Sequence, residues 1–269
     1  MRSDIFTIID EADALGFPTA LATNGTLVEH AEARRLAESG VRRVSISLDF
    51  PDSARHDRVR GAGAFDAALS GIALLREHGV PFQVNMTVGR ENSTEIAAML
   101  ALARGEGAAA FHLFFVVDVG RARGGREGLP PGQYEAVLCE TAAIERDAGI
   151  EMRVTCAPQY QRVRREVGVE APSARTAAGC MAGRGFLFVS AVGQVKPCGY
   201  FDLVVGGLAD GPLDVLWRES AVLQALRRTE KFAGCGRCTY RDACGGCRAR
   251  AYSLSGDFLS ADPACQHNL

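Results

Sequence analysis

Seven of the nine cysteines in this 269-residue chain lie beyond residue 179, in closely spaced groups. The amino terminus does not resemble an export signal, and cytosolic thiols are kept reduced, so this spacing favours metal ligation over disulfides. Two Cys-x2-Cys pairs and three further cysteines offer nearly two four-ligand sites: Cys180, Cys198, Cys235, Cys238, Cys244, Cys247 and Cys265. Zinc and cubane iron-sulfur clusters both accept four thiolates, so spacing alone leaves the metal open.

Residues 4 to 155 repeat a unit of roughly thirty residues, an apolar strand followed by an amphipathic helix that ends at glycine. This repeat is typical of a parallel α/β sheet. A capping box formed by Thr26 and Glu29 is expected to start one of the helices. Predicted helices cover 4–15, 26–39, 65–78, 92–104 and 133–148, and predicted strands cover 18–23, 43–49, 82–88, 109–117 and 150–155. Residues 156–179, which contain Pro158 and Pro172, are predicted to be a linker.

The overall charge and hydropathy exclude some classes of partner. A formal net charge of -2 and a pI near 6.2 provide no basic field for nucleic acid. The sequence contains no apolar run long enough to cross a bilayer. The expectation is therefore a cytoplasmic protein with no nucleic-acid partner and no membrane partner. Cys139 falls in a helical pattern and is expected in the core, whereas Cys156 follows a strand and is a candidate site residue without an assigned role.

The cysteine array, with Gly193 placed between Cys180 and Cys198, resembles the SPASM domain of radical S-adenosylmethionine (SAM) enzymes. Residues 22–26, 44–49 and 56–61 resemble the third and fourth strands of the barrel in those enzymes. The resemblance implies a partial radical SAM (β/α) barrel over 1–155 and a SPASM domain over 180–269. Residues 111–115, 154–158 and 180–183 look more like the subgroup acting in alternative heme and heme d1 biosynthesis than like peptide maturases of the mycofactocin type.

The resemblance also implies cofactors and ligands. One or two auxiliary 4Fe-4S clusters are expected, one on Cys235, Cys238, Cys244 and Cys265, the other on Cys180, Cys198 and Cys247 with its fourth position open or filled locally. SAM is expected to contact Ser47 and Arg60, with Asn24 and Asn85 as further candidates. The Cys-x3-Cys-x2-Cys triplet that binds the SAM-cleaving cluster does not occur before Cys139. We therefore expect the rear two-thirds of such an enzyme, unable to cleave SAM alone.

The implied reaction is radical removal of carboxylate side chains from an iron tetrapyrrole, with an auxiliary cluster accepting one electron and an electron donor protein as partner. Arg121 and Arg123 are candidates to pair with propionates, and His112 to bind iron, although a strand histidine is more often simply packed. No catalytic residue is assigned. The alternatives are a peptide maturase and a non-catalytic iron-sulfur fragment. Loss of the first two barrel strands would leave residues 18–23 as an open edge and favour self-association.

Overall fold

The computed structural model describes residues 2–123, 128–169 and 179–267. The predicted strand-helix repeat is present. Its elements are α1 (Ile5–Ala14), β1 (Thr19–Thr23), α2 (His30–Glu38), β2 (Val41–Ser47), α3 (Ser53–Arg60), α4 (Ala64–Glu77), β3 (Phe82–Val88), α5 (Ile96–Gly105), β4 (Ala110–Phe115), α6 (Pro131–Glu145) and β5 (Glu151–Thr155). The strands form one sheet in the order β1-β2-β3-β4-β5, and β2 runs parallel to both β1 and β3. The predicted parallel α/β architecture is confirmed.

Strand β3 shows how the sheet acquires one apolar and one polar face. Its apolar side chains are buried and pack on the side of α4 and α5. Successive side chains of a strand point to opposite faces. The alternate residues Gln83, Asn85 and Thr87 are therefore half-buried on the other side of the sheet. This polar side of the sheet, named the inner face below, is where strand ends can present site residues.

Two local predictions differ from the structure. Helix α2 begins after Glu29, which forms its capping box with Glu32 rather than with Thr26. Thr26 instead donates from its hydroxyl to Asn24 Oδ1 at 3.1 Å, which closes a turn after β1. Helix α3 was not predicted, because its sequence lacks an apolar stripe; the Asp52 side chain caps its first turn. The other predicted bounds shift by one to a few residues, and β3 matches its predicted range.

The chain divides into two compact units, one of residues 1–88, 92–114 and 147–153, the other of residues 89–91, 115–146 and 154–269. The second unit contains α6 and then α7 (Tyr160–Glu166), β6 (Phe188–Val189), β7 (Gln194–Lys196), β8 (Gly206–Gly207), α8 (Leu213–Glu219), α9 (Ala221–Leu226) and α10 (Arg248–Ser255). Strands β6 to β8 form a small antiparallel sheet. No helix in the described ranges is long and apolar enough to span a bilayer.

The predicted linker over 156–179 requires correction, because α7 lies within it and packs on α6. The buried Arg162 of α7 pairs with Glu135 of α6 at 2.6 Å and with Glu166 at 2.6 Å. Buried, paired side chains are typical of a folded domain rather than a connecting segment. Residues 170–178, including Pro172, lie outside the described residues.

A second correction concerns Cys139, which is exposed on α6 and not part of the core. Helix α6 buries Tyr134, Val137, Leu138, Thr141 and Ala142. One residue of an α-helix turns the side chain by about 100°. The residue after Leu138 therefore points away from the buried side of the helix. Cys139 is this residue, which explains why it is not in the core.

Candidate active site and cluster-binding centre

Polar side chains from several strands meet on the inner face. Register pairs Ser45 with Gln83 and Ser47 with Asn85 across β2 and β3. Arg43 on β2 pairs with Glu151 on β5 at 3.0 Å. An ion pair between the second and fifth strands requires a curved sheet, as in a barrel. The inner face therefore forms a concave polar surface from Arg43, Ser45, Ser47, Gln83, Asn85, Thr87, His112, Glu151 and Arg153.

Asp49, just beyond the end of β2, is the centre of a hydrogen-bond network, named the Asp49 hub below. Its carboxylate is fully buried and accepts hydrogen bonds from Arg60 Nε at 2.8 Å and from the Thr87 backbone N-H at 2.7 Å. The Asn92 side chain donates to its carbonyl at 2.8 Å. These bonds fix the loops that follow β2 and β3, and they orient Arg60 at the carboxyl edge of the sheet.

The four candidate SAM residues lie on or after the first three strands: Asn24 follows β1, Ser47 ends β2, Arg60 ends α3 and Asn85 lies within β3. Ser47 and Asn85 are register partners and half-buried, and Asn85 Oδ1 accepts from Gln83 Nε2 at 2.8 Å. Asn24 is exposed and closes the turn after β1 through its bonds to Thr26. Arg60 belongs to the Asp49 hub. The contacts of these four residues with SAM remain predictions.

His112 lies on β4, with its ring 4.3 Å from that of Phe114 and its Nδ1 3.4 Å from Gln83 Nε2. Burial, reinforced by Arg153 and Arg43 and opposed by Glu151, lowers the pKa of His112 to about 4. The imidazole is therefore neutral near pH 7, which is the form that can ligate a metal.

We expect replacement of His112 by glutamine to make the free energy of unfolding less dependent on pH below pH 7. In the unfolded chain this histidine takes up a proton near its ordinary pKa of 6.5, whereas the folded chain resists protonation until about pH 4. Stability conferred by the neutral ring is thus present above pH 6.5 and lost as the pH falls. Between pH 7 and 5 the native protein should lose about 2 kcal/mol more than His112→Gln, measured by denaturant unfolding. Identical pH dependence of the two proteins would contradict this.

Four predicted ligands, named the first cysteine set, line a single pocket together with Gly245, Gly246 and Tyr240. They are Cys235, Cys238, Cys244 and Cys265. Three of their sulfurs already accept N-H···S hydrogen bonds, from the Arg248 guanidinium to Cys235 at 3.8 Å and from backbone N-H groups to Cys238 and Cys244 at 3.4 Å each. Such bonds stabilise thiolates around a metal and tune its potential.

Gly246 makes the narrow turn between the two cysteine sets possible. Its φ of 65° is left-handed, and a Cβ there would lie 2.5 Å from Arg248 Nη2 and 3.2 Å from Cys235 Sγ. Only glycine combines this conformation with such close approach. The turn that joins Cys244 to Cys247, with only two residues between them, therefore requires glycine at position 246.

The other three predicted ligands, named the second cysteine set, are Cys180, Cys198 and Cys247. Cys247 is buried in an apolar cluster with Ala182, Phe201, Leu223 and other residues, and Cys180 and Cys198 pack against it. Burial raises the pKa of Cys198 to about 12, and the nearby Cys180 and Cys247 contribute to this shift. A metal must displace these protons, so binding to either set is expected to release them.

The cysteine sulfurs are not gathered as closely as the ligands of a single zinc ion. A tetrahedral zinc with Zn–S bonds of about 2.3 Å holds its sulfurs about 3.8 Å apart. Within the described residues, which include every cysteine, no three cysteine sulfurs lie within 4.8 Å of one another.

A buried ion pair joins the two sets, and the sequence analysis did not find it. Asp262 Oδ2 lies 3.1 Å from Arg250 Nη1 and accepts the Cys247 backbone N-H at 2.6 Å and Gln159 Nε2 at 2.7 Å. Burial alone would raise the pKa of Asp262, but Arg250 and these donors outweigh it and hold the pKa below its usual range. The Cys265 N-H bonds to the Asp262 carbonyl. One residue thus positions ligands of both sets.

The two candidate propionate-binding arginines receive little support. Arg123 lies 3.9 Å from Asp202, with both side chains more than half exposed. Exposed pairs of this kind contribute little free energy. The Arg121 side chain lies outside the described part of the structure.

Known protein families match both parts of the chain. The profile of the Radical SAM superfamily matches residues 1–103, and that of the SPASM iron-sulfur cluster-binding domain matches residues 180–247. The AdoMet-dependent heme synthase of Nitratidesulfovibrio vulgaris is 38% identical over 99% of this chain and 76% of its own length. That of Methanosarcina barkeri is 39% identical over 98% of this chain and 78% of its own length. Mycofactocin maturase MftC of Mycolicibacterium smegmatis is more distant, at 28% identity.

Among solved structures, Streptococcus suis SuiB superposes with a TM-score of 0.75 over 98% of this chain at 18% identity. This likeness shows the shared fold, and the chain spans 64% of the SuiB chain. The concave polar sheet, the two cysteine sets and the matches along the whole sequence lead to one assignment. The chain belongs to the radical SAM superfamily, with a SPASM domain, and within it to the family of the AdoMet-dependent heme synthases.

Proposed function

We propose that the protein acts in heme biosynthesis, by radical removal of carboxylate side chains from an iron tetrapyrrole. The observation that carries this proposal is 38–39% identity to AdoMet-dependent heme synthases along almost the whole chain. The alternative drawn from the sequence, a peptide maturase, is disfavoured because mycofactocin maturase MftC has a lower sequence identity to this chain. The same resemblance favours an enzyme over a non-catalytic iron-sulfur fragment.

The family uses SAM and 4Fe-4S clusters. In our proposal the first cysteine set holds one auxiliary cluster and the second set holds another. When bound, these cofactors supply one-electron chemistry. The residues of this chain keep the ligands in place and exclude water: Cys235, Cys244 and Cys247 are buried, and Asp262 connects the two sets. Ser47 and Arg60, with Asn24 and Asn85, are proposed to contact SAM.

The charge of the inner face supports a substrate with carboxylates. Arg43 and Arg153 both contact Glu151, so this group of three carries an excess of positive charge. Guanidinium groups pair well with carboxylates. The neutral ring of His112 lies on the same inner face and is proposed to approach the substrate iron.

Binding of an iron tetrapyrrole tests this proposal without requiring turnover. We expect a tetrapyrrole with free propionates to bind at least about tenfold more tightly than its methyl ester, because a hydrogen bond to a charged group contributes about 1.5–3 kcal/mol and about 1.4 kcal/mol is a factor of ten in affinity. Arg153→Ala should weaken binding of the free acid by a similar factor, whereas Arg218→Ala, which removes an exposed arginine of α8, should not. Affinity is read from the change in tetrapyrrole absorbance. Equal affinity for acid and ester would contradict the proposal.

Partners and location are proposed on chemical grounds. Clusters that cycle between oxidation states require an electron donor protein, and reduced thiols favour the cytoplasm. Strand β1 lies at one edge of the five-stranded sheet, with Ala20 and Ala22 exposed. An uncharged edge strand can pair with a second copy of the chain. We propose self-association through this edge; a concentration-independent monomer in sedimentation velocity would exclude it.

A further inference from the structure

The second cysteine set supplies three thiolates, whereas a 4Fe-4S cluster has four irons to ligate. The following inference rests on the proposed function, because it assumes that Cys180, Cys198 and Cys247 hold a cluster. In the part of the chain that the structure describes, one further thiol joins this set, that of Cys156. Cys156 packs against the same buried cluster of side chains as Cys180 and Cys198, the cluster that contains Cys247. It also interacts electrostatically with all three thiols.

The backbone of Cys156 is held in an unusual conformation directly after β5. Its φ of 63° makes it the one non-glycine residue with a positive φ among those described. Side chains other than glycine avoid this region, and such strain persists where the surroundings determine it and often where function requires it. Continuing β5 in an extended conformation would send this side chain elsewhere, so the turn is what directs Cys156 to its present neighbours.

The same groups that position Cys247 also fix Cys156. Arg250 Nη2 donates to the Cys156 carbonyl at 2.6 Å, and the Tyr134 hydroxyl donates to it at 3.4 Å. Through its other nitrogen Arg250 pairs with Asp262, which accepts the Cys247 N-H. The two cysteines, far apart in sequence, are thus tied to one buried network.

We propose that Cys156 is the fourth thiolate ligand of the second cluster. Ligation exchanges the S-H bond of Cys156 for an S-Fe bond and releases one proton to solvent, with no change in oxidation state. A cluster with four protein thiolates keeps no iron free for a substrate atom. Its role in the proposed reaction is then to accept an electron without binding the tetrapyrrole.

The test is removal of the thiol, with a matched control. Anaerobically reconstituted native protein is expected to hold about eight irons per chain. Cys156→Ala should either fall to about seven irons with the EPR signal of an oxidised 3Fe-4S cluster, or keep its iron and expose one that binds cyanide. Cys139→Ala, which removes the exposed thiol of α6, should match the native protein in both respects. A Cys156→Ala protein that behaves like Cys139→Ala would overturn the proposal.

A measurement on the native protein covers the case in which Cys156→Ala does not fold. Isotope-labelled cyanide should give no hyperfine coupling to the reduced clusters of native protein that holds about eight irons. Coupling would reveal an open iron and overturn the assignment of Cys156. Failure of the proposed function looks different: native protein with about four irons, unchanged in Cys180→Ala, would show that the second set holds no cluster.

Discussion

Replacing Asp262 by alanine is expected to lower the free energy of unfolding of the second compact unit, which contains both cysteine sets, by about 3–5 kcal/mol. The substitution leaves Arg250, only 5% exposed, as a buried cation without its counter-charge. It also removes the acceptor of the Cys247 and Ala264 backbone N-H groups and of Gln159. Each of these donors then carries a desolvation cost.

Denaturant unfolding of cluster-loaded protein, kept anaerobic, measures this effect. The matched control is Asp214→Ala, which breaks an Asp-Arg pair whose side chains are 65% and 69% exposed. That variant should lie within about 0.5 kcal/mol of the native protein. A second readout is the rate of iron release to a chelator, which should rise in Asp262→Ala because ligands of both sets lose their support. A loss below about 1 kcal/mol for Asp262→Ala would show that the buried pair contributes little.

The repeat of strands and helices could be predicted from the sequence because each element carries its own local pattern. Strand β3 alternates apolar and polar residues along its whole length, and its predicted range matches the structure. Helices α8 and α9 were not predicted, since they have seven and six residues and leave little room for a periodic pattern. Short helices of this kind are stabilised by packing against the rest of the fold, and their sequences carry too little local preference to predict them.

The site could be predicted only where its chemistry is local. The two Cys-x2-Cys pairs mark four candidate ligands within a few residues of one another, and the structure brings three of these into one pocket with Cys265. The contacts that organise the site join distant residues: Arg250 and Cys156 are 94 residues apart, and Thr87 and Asp49 are 38 apart. The pattern of one sequence contains no signal for such pairs. Cys156 is a candidate from the sequence because it follows a strand, but its contact with Arg250 is made only in the folded chain.

Removing one ligand of the first set is expected to have the largest effect on metal content. Cys238→Ala should release about four of about eight irons, because a cubane deprived of a protein thiolate at a partly exposed corner is lost to solvent. Cys238 is the suitable position since it is only partly buried, so the apo pocket can still close. Iron and sulfide analysis after gel filtration, with Cys139→Ala as control, measures the loss.

The effect should extend to the second set, because the backbone couples the two. Cys180 N-H donates to the Cys244 carbonyl at 3.1 Å, and Asp262 bonds to Cys247 and Cys265. An emptied first pocket therefore loosens loops that carry ligands of the second cluster, and the remaining irons of Cys238→Ala should reach a chelator faster than those of the native protein. The inner face lies in the other compact unit, so tetrapyrrole binding through Arg153 is expected to persist. Retention of about eight irons in Cys238→Ala, none of which binds cyanide, would exclude Cys238 as a ligand, and release of the remaining irons at the native rate would show that the two centres are independent.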